Sequence, residues 1–198
     1  MEPVIRTVKP EDTTGILEIY APYVEGSPVT FEEIVPSVGE MIARIERISS
    51  QFPYLVCEID GIIAGYAYAS DFRTRSAYRW IKELSVYIHP GFRRRKIAHA
   101  LYSCILKILK IQGVTSVLAG ITVPNPESVG FHEHFGFRKA GEFHANGFKS
   151  GQWHNVGWWE MNLNPTGLTP CLQITPISEI PEEILSEIFR DAIKTVSL

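Results

Sequence analysis

The chain has 198 residues, 45% hydrophobic and 21% charged, with a formal net charge of −3. That is enough for one ordinary globular domain with length to spare for a tail. The acidic balance argues against a nucleic-acid partner. No apolar run approaches the ~20 residues of a membrane span, and Met1 to Arg6 lacks the apolar core of a signal peptide.

Cys57, Cys104 and Cys171 are few, odd in number and widely spaced, which reads as reduced thiols in a cytoplasmic protein. In chain order, Val4, Ile5 and Val8 suggest a short strand. Pro10-Glu11-Asp12 opens a helix capped by Asp12 or Thr13, with Ile16, Leu17, Ile19 and Tyr20 inward. Pro22, Gly26 and Pro28 read as chain breakers, followed by a loop that carries Phe31. Pro36-Ser37 starts a second helix with Val38, Met41, Ile42, Ile45 and Ile48 at helical spacing. Tyr54 to Ile59 and Ile62 to Ser70 are strands joined at Asp60-Gly61, where glycine supplies the positive φ of a tight hairpin. Arg73 to Tyr78 is a polar loop.

The stretch from Glu83 to Tyr102 organises the rest. Leu84, Val86 and Ile88 alternate with Ser85, Tyr87 and His89 as in a strand, and Pro90-Gly91 stops it. Arg93, Arg94, Arg95 and Lys96 follow. Then Ile97, Leu101, Ile105 and Ile108 recur at helical spacing, and the helix ends near Gln112-Gly113. A strand, a basic loop and a helix N-terminus together form an anion site, because the first helical turn presents unpartnered N–H groups and positive potential. A phosphate-bearing cofactor is the economical reading; a solvated basic turn is the other. Val114 to Val123 is the next strand. Pro124-Asn125-Pro126 starts a short helix through about Phe135, and strands Phe137 to Phe148 and Trp153 to Leu163 turn at Ser150-Gly151. The pattern predicts an α/β fold with a mixed, partly antiparallel central sheet flanked by helices. Residues 1–164 form the domain. Residues 165–198 are a Pro-punctuated linker and a terminal helix with Ile184, Leu185, Ile188, Phe189 and Ile193 on one face.

Several stretches carry a resemblance. Arg93 to Ala98 aligns with a Gln/Arg-x-x-Gly-x-Gly/Ala cofactor motif, except that Lys96 replaces the central glycine. Pro53-Tyr54-Leu55-Val56, Asp60-Gly61, Ala64-Gly65, Val86-Tyr87-Ile88, Pro124-Asn125 and Gly147 to Gly157 add to it. In this order they resemble the GCN5-related N-acetyltransferase superfamily, and more narrowly its phosphinothricin N-acetyltransferase group, over Val4 to Leu163. The resemblance implies acetyl-CoA as co-substrate. It places the backbone of Val86, Tyr87 and Ile88 along the pantetheine, the amides of Arg94, Arg95, Lys96, Ile97, Ala98 and His99 at the pyrophosphate with Arg93 leading the motif, and Asn125 in the same site. It implies Glu83 as the base and His132 as a proton relay or holder of the substrate's acidic group, with Tyr102 as a further candidate acid.

Arg73, Arg75 and Tyr78 precede the cofactor strand, and arginine forks suit a carboxylate or phosphinate. Phe31 would close the pocket. The acceptor is then a small amino-acid-like amine, and family members are often homodimers. A polyamine or protein N-terminus as acceptor, a non-catalytic acyl-CoA sensor favoured by Lys96, and a nucleic-acid module are the alternatives. His132, Glu133, His134, His144 and His154 fit no zinc spacing, so no metal is expected. Because the loop runs straight into a helix, Lys96 is expected at negative φ, without backbone strain.

Overall fold

The computed structural model describes residues 2–164 and 173–197. Seven strands form one sheet in the order β1 (Pro3–Thr7), β2 (Tyr54–Ile59), β3 (Ile62–Asp71), β4 (Ile81–Ile88), β5 (Ser116–Val123), β7 (Gln152–Asn162) and β6 (Arg138–Lys149). All neighbours are antiparallel except β4 and β5. A parallel pair needs a crossover, and α3 (Ile97–Gln112) supplies it. The Asp60-Gly61 hairpin is present, with φ of 51° and 80°.

Strand alternation divides the core in two. Leu55, Cys57 and Ile59 of β2 face a cluster with Ala100, Leu101, Cys104, Ile105 and Ile108 of α3. Tyr54 and Val56 face the other cluster, with α1 (Thr13–Gly26) and α2 (Val38–Ser49). Ser37 caps α2 in a reciprocal box with Glu40. Of its expected inner face, Met41, Ile45 and Ile48 are buried, whereas Val38 is exposed because it sits in the first turn at the rim.

Pro22 does not break the chain: it lies inside α1. It removes the N–H that would bond the Glu18 carbonyl, and both residues are exposed, so that the cost is not one of a buried, unpaired carbonyl. The terminal helix α5 (Glu182–Ile193) packs on α3 and β1, with Ile188 and Ala192 buried in the α3 cluster. Pro165, Pro170 and Cys171 fall outside the described residues. Among the described residues, no helix is long and apolar enough to cross a membrane.

Candidate active site

The β4–β5 ladder holds only from Ile81↔Ser116 to Glu83↔Leu118. Beyond it, β4 runs on to Ile88 and β5 to Val123, each paired only on its outer side. The sheet therefore forks. A cavity of about 820 Å³ opens along the unpaired part, walled by Tyr23 and Ser27 of the α1 end, Val86 and Ile88 of β4, and Asn125, Ser128 and Phe131 at α4 (Pro126–His134). Arg93, Arg94, Lys96, Ile97, Ala98 and His99 complete the wall.

The loop enters α3 with no side chain capping it, and the first helical bond runs from the Ala100 N–H to the Lys96 carbonyl. The N–H groups of Ile97, Ala98 and His99 thus have no intrahelical partner, an arrangement suited to an anion. His99 Nδ1 is enclosed and makes no hydrogen bond within the protein. Burial first, then the charges of His134 and Lys96, lower the pKa of His99.

Lys96 sits at φ 60°, ψ 16°, against the expectation of negative φ, and Arg94 is also left-handed at φ 63°. Both positive-φ residues lie in the short link between Phe92 and the first turn of α3. A non-glycine residue there costs on the order of 1 kcal/mol. Arg95 is not among the residues that line the cavity. Its guanidinium lies over the ring of Phe92, itself a residue of the cavity wall, at 5.2 Å. The Tyr87 ring also turns away, edge-on to Tyr20 and Tyr23.

Glu83 stands at the vertex of the fork. Burial alone pushes its carboxyl above the ordinary range. Its charge in turn raises the phenols of Tyr68 and Tyr102, each shifted first by its own burial. Tyr102 is fully buried, and its hydroxyl lies 2.8 Å from His132 Nε2. His132 Nδ1 is 2.7 Å from the Ser128 carbonyl, which can only accept, so Nδ1 carries the proton and Nε2 accepts from Tyr102. Burial lowers the His132 pKa, only partly countered by Ser128. His132 is therefore a neutral, enclosed group behind the cavity wall, with both nitrogens engaged.

At the closed end of the fork, β3 ends beside Lys82 and Glu83. The loop from there carries Arg73, exposed and stacked on Phe72 at 5.0 Å and Tyr78 at 5.6 Å. Phe72 in turn meets Trp158 edge-on at 5.4 Å. Arg75 is exposed on the same loop. Phe31 is held by the β6–β7 hairpin: its ring rests on Gly147, where a Cβ would come within 2.2 Å, and Lys149 Nζ donates to the Thr30 carbonyl at 2.7 Å. Thr122 Oγ1 donates to the Pro28 carbonyl at 2.7 Å, tying the same loop to β5.

A family model described as an acetyltransferase (GNAT) domain matches residues 5–158. The chain belongs to this family. It is an acetyl-CoA-dependent N-acetyltransferase. The phosphinothricin N-acetyltransferase of Streptomyces viridochromogenes is 35% identical over 176 residues, 89% of this chain and 95% of the relative. The L-methionine sulfoximine/L-methionine sulfone acetyltransferase of Pseudomonas aeruginosa is 28% identical over 172 residues, 86% of this chain and 100% of the relative. A solved GNAT superfamily phosphinothricin acetyltransferase from Sinorhizobium meliloti, in complex with AcCoA, is 34% identical with a TM-score of 0.84, covering 90% of this chain and 98% of that one.

The lining of the 820 Å³ cavity fits a phosphate-bearing cofactor such as acetyl-CoA: uncapped amides at the start of α3, His99 Nδ1 without a partner in the protein, and cations along the wall. Sequence reasoning missed the Tyr102–His132 bond. Its partners are 30 residues apart, and no local pattern pairs an inner-face tyrosine with a particular histidine. Among the described residues no cluster of His, Cys, Asp or Glu could hold a metal.

Proposed function

We propose that the protein acetylates the amine of a small amino-acid-like acceptor carrying an anionic or strongly polar oxygen group, of the phosphinothricin, methionine sulfoximine or methionine sulfone kind. The observation that carries this is the position of Glu83, a desolvated carboxyl at the vertex, between the basic loop on the open side of the fork and the arginine loop that follows β3 at its closed end. The names of the relatives support the acceptor class.

In this reading the amides of Lys96, Ile97, Ala98 and His99 hold the pyrophosphate, and the free edge of β4 from Val86 to Ile88 lies along the pantetheine. Asn125 fixes the start of α4 at the cavity wall: its Oδ1 accepts from the Ser128 N–H at 3.1 Å. Glu83 takes one proton from the acceptor's ammonium, directly or through water. The freed amine attacks the thioester carbon, a C–N bond forms and the C–S bond breaks. A β4 amide facing the carbonyl oxygen stabilises the charge that develops there. The nitrogen loses its second proton as the amide forms, and the leaving thiolate gains one.

In this reading Tyr102 is not the donor, since its hydroxyl is fully buried and already given to His132 Nε2 at 2.8 Å; the proton that the nitrogen loses passes through water to the thiolate. His132 acts through Tyr102, locking α3 to α4 behind the thioester. Arg73, Arg75 and Tyr78 receive the acceptor's acidic group, and Phe31 covers it. A homodimer is part of the same proposal. The edge strand β6 and its hairpin expose Phe143, Phe148 and Trp153, an apolar patch that a second copy would cover; light scattering at micromolar concentration gives the mass.

Thiol release from acetyl-CoA, measured across phosphinothricin, methionine sulfoximine, methionine sulfone, spermidine and a peptide N-terminus, tests the acceptor. The highest kcat/KM is expected for one of the first three. A polyamine or peptide ranking first would overturn the acceptor class. Acetyl-CoA binding without turnover on any amine would favour an acyl-CoA sensor.

A further inference from the structure

The pyrophosphate loop carries two left-handed, non-glycine residues, Arg94 and Lys96, on either side of Arg95. Such a backbone persists only where its surroundings hold it. Arg95 is held from an unexpected direction: its carbonyl accepts the N–H of Ser197, almost at the other end of the chain, at 3.0 Å. Arg95 C=O and Lys96 N–H belong to one trans peptide plane and point in opposite directions. Holding the carbonyl toward Ser197 therefore turns the Lys96 N–H away from the tail, and Lys96 itself lines the cavity.

The segment that delivers Ser197 is anchored along the whole of α3. At the C-terminal end of α3, the Thr175 N–H donates to the Gln112 carbonyl at 3.0 Å, and Gln112 Nε2 donates to the carbonyls of Gln51 and Thr175 at 2.8 and 2.7 Å. Ile188 and Ala192 are then buried against α3, with the Cys104 thiol 3.8 Å from the Ile188 carbonyl. After α5, Thr195 N–H and Val196 N–H bond the carbonyls of Ala192 and Ile193, both at 3.0 Å, forming a turn that aims Ser197 at the loop.

We propose that residues 173–197 are a brace that sets acetyl-CoA affinity, with the Ser197 N–H as the positioning group for the Lys96 amide. This rests on the reading of that loop as the pyrophosphate site. The family model stops at residue 158, so the brace lies outside the domain that defines the family.

Calorimetric titration of acetyl-CoA into the full chain and its variants tests it. Ser197→Pro removes the N–H, and a chain ending at Val196 removes it without a proline. Both are expected to weaken acetyl-CoA binding about five- to tenfold, the range for losing one hydrogen bond. The acceptor KM and kcat at saturating acetyl-CoA should stay within twofold, and amide exchange at Lys96 should quicken in the ligand-free protein. Ser197→Ala keeps the N–H and should keep the wild-type affinity. If Ser197→Pro and the shortened chain bind as the wild type does, the brace is wrong. It is equally wrong if acetyl-CoA and acceptor binding fall together. Lys96→Glu separates the two readings: weaker binding there, with no effect at Ser197, leaves the pyrophosphate site standing and removes only the brace.

Discussion

At the vertex of the fork Glu83 loses water to Tyr68, Tyr102 and the converging strands, and burial is what raises its pKa. A base must be ionised to act, so the rate should rise with pH through this raised value and then level. Glu83→Gln should lower kcat roughly 100-fold or more, the scale of general-base assistance, and abolish that acidic limb. Its acetyl-CoA affinity should match the wild type in calorimetry; a wild-type pH–rate profile in the variant would remove Glu83 as the base. Lys96 poses a different question at the same scale. Its φ of 60° is strain that glycine would not carry, and its ammonium adds positive potential at the cavity mouth. Comparing Lys96→Gly with Lys96→Ala separates the two, since both lose the cation and only glycine relieves the backbone. The glycine variant should be more stable than the alanine variant by about 1 kcal/mol in urea titrations. Both should bind acetyl-CoA more weakly than the wild type at low salt, with the gap closing as exposed charges are screened within ~10 Å at 0.1 M. Equal stability of the two variants would mean that the loop rearranges freely around position 96.

Elements were legible where chemistry is local. The helix start at Pro36-Ser37, the Asp60-Gly61 hairpin and the helix end at Gln112-Gly113 each follow from a few adjacent residues. Pro22 misled because its cost depends on whether the freed carbonyl meets water, which neighbouring residues do not reveal. The direction of Arg95, the φ of Lys96 and the enclosure of His132 depend on α5, Phe92 and α4, all brought together by tertiary packing. The loop from Ser27 to Pro36 shows the same limit. The sequence suggests Phe31 as a pocket cover, but the glycine that seats its ring lies 116 positions further on, at Gly147. Gly147→Ala would place a methyl within 2.2 Å of that ring and must displace it. The acceptor KM should then rise severalfold, while acetyl-CoA affinity and melting temperature change little. An unchanged acceptor KM would place Phe31 outside the acceptor site.

Across the whole molecule, two carboxyls oppose each other in their effect on stability. Asp12 would be raised by burial, but the Arg6 fork at 2.7 and 2.8 Å and the Lys9 N–H outweigh that and hold it below the ordinary value. Arg6 also bonds Glu58 at 2.7 Å, so this cluster fastens the edge strand β1 to β2 and to the start of α1. A depressed folded pKa contributes stability above the unfolded value of about 3.9 and loses it as pH falls through the folded value. Asp12→Asn should lower the melting temperature by several degrees at pH 7, with the difference shrinking below about pH 4. Glu83 has the opposite sign. Its folded pKa is raised, so the protonated form fits the fold better and the stabilisation is complete only below the unfolded value of about 4.3. As pH rises through the folded value, ionising Glu83 in its desolvated site costs stability that the unfolded chain does not pay. Glu83→Gln removes that cost, so the variant that is nearly inactive should melt higher than the wild type at pH 7, with the gain fading toward pH 4. Melting curves of the two proteins between pH 4 and 8 decide this. A difference that stays flat over that range would mean that the Glu83 carboxylate is solvated and its pKa ordinary, which would also weaken its case as a tuned base.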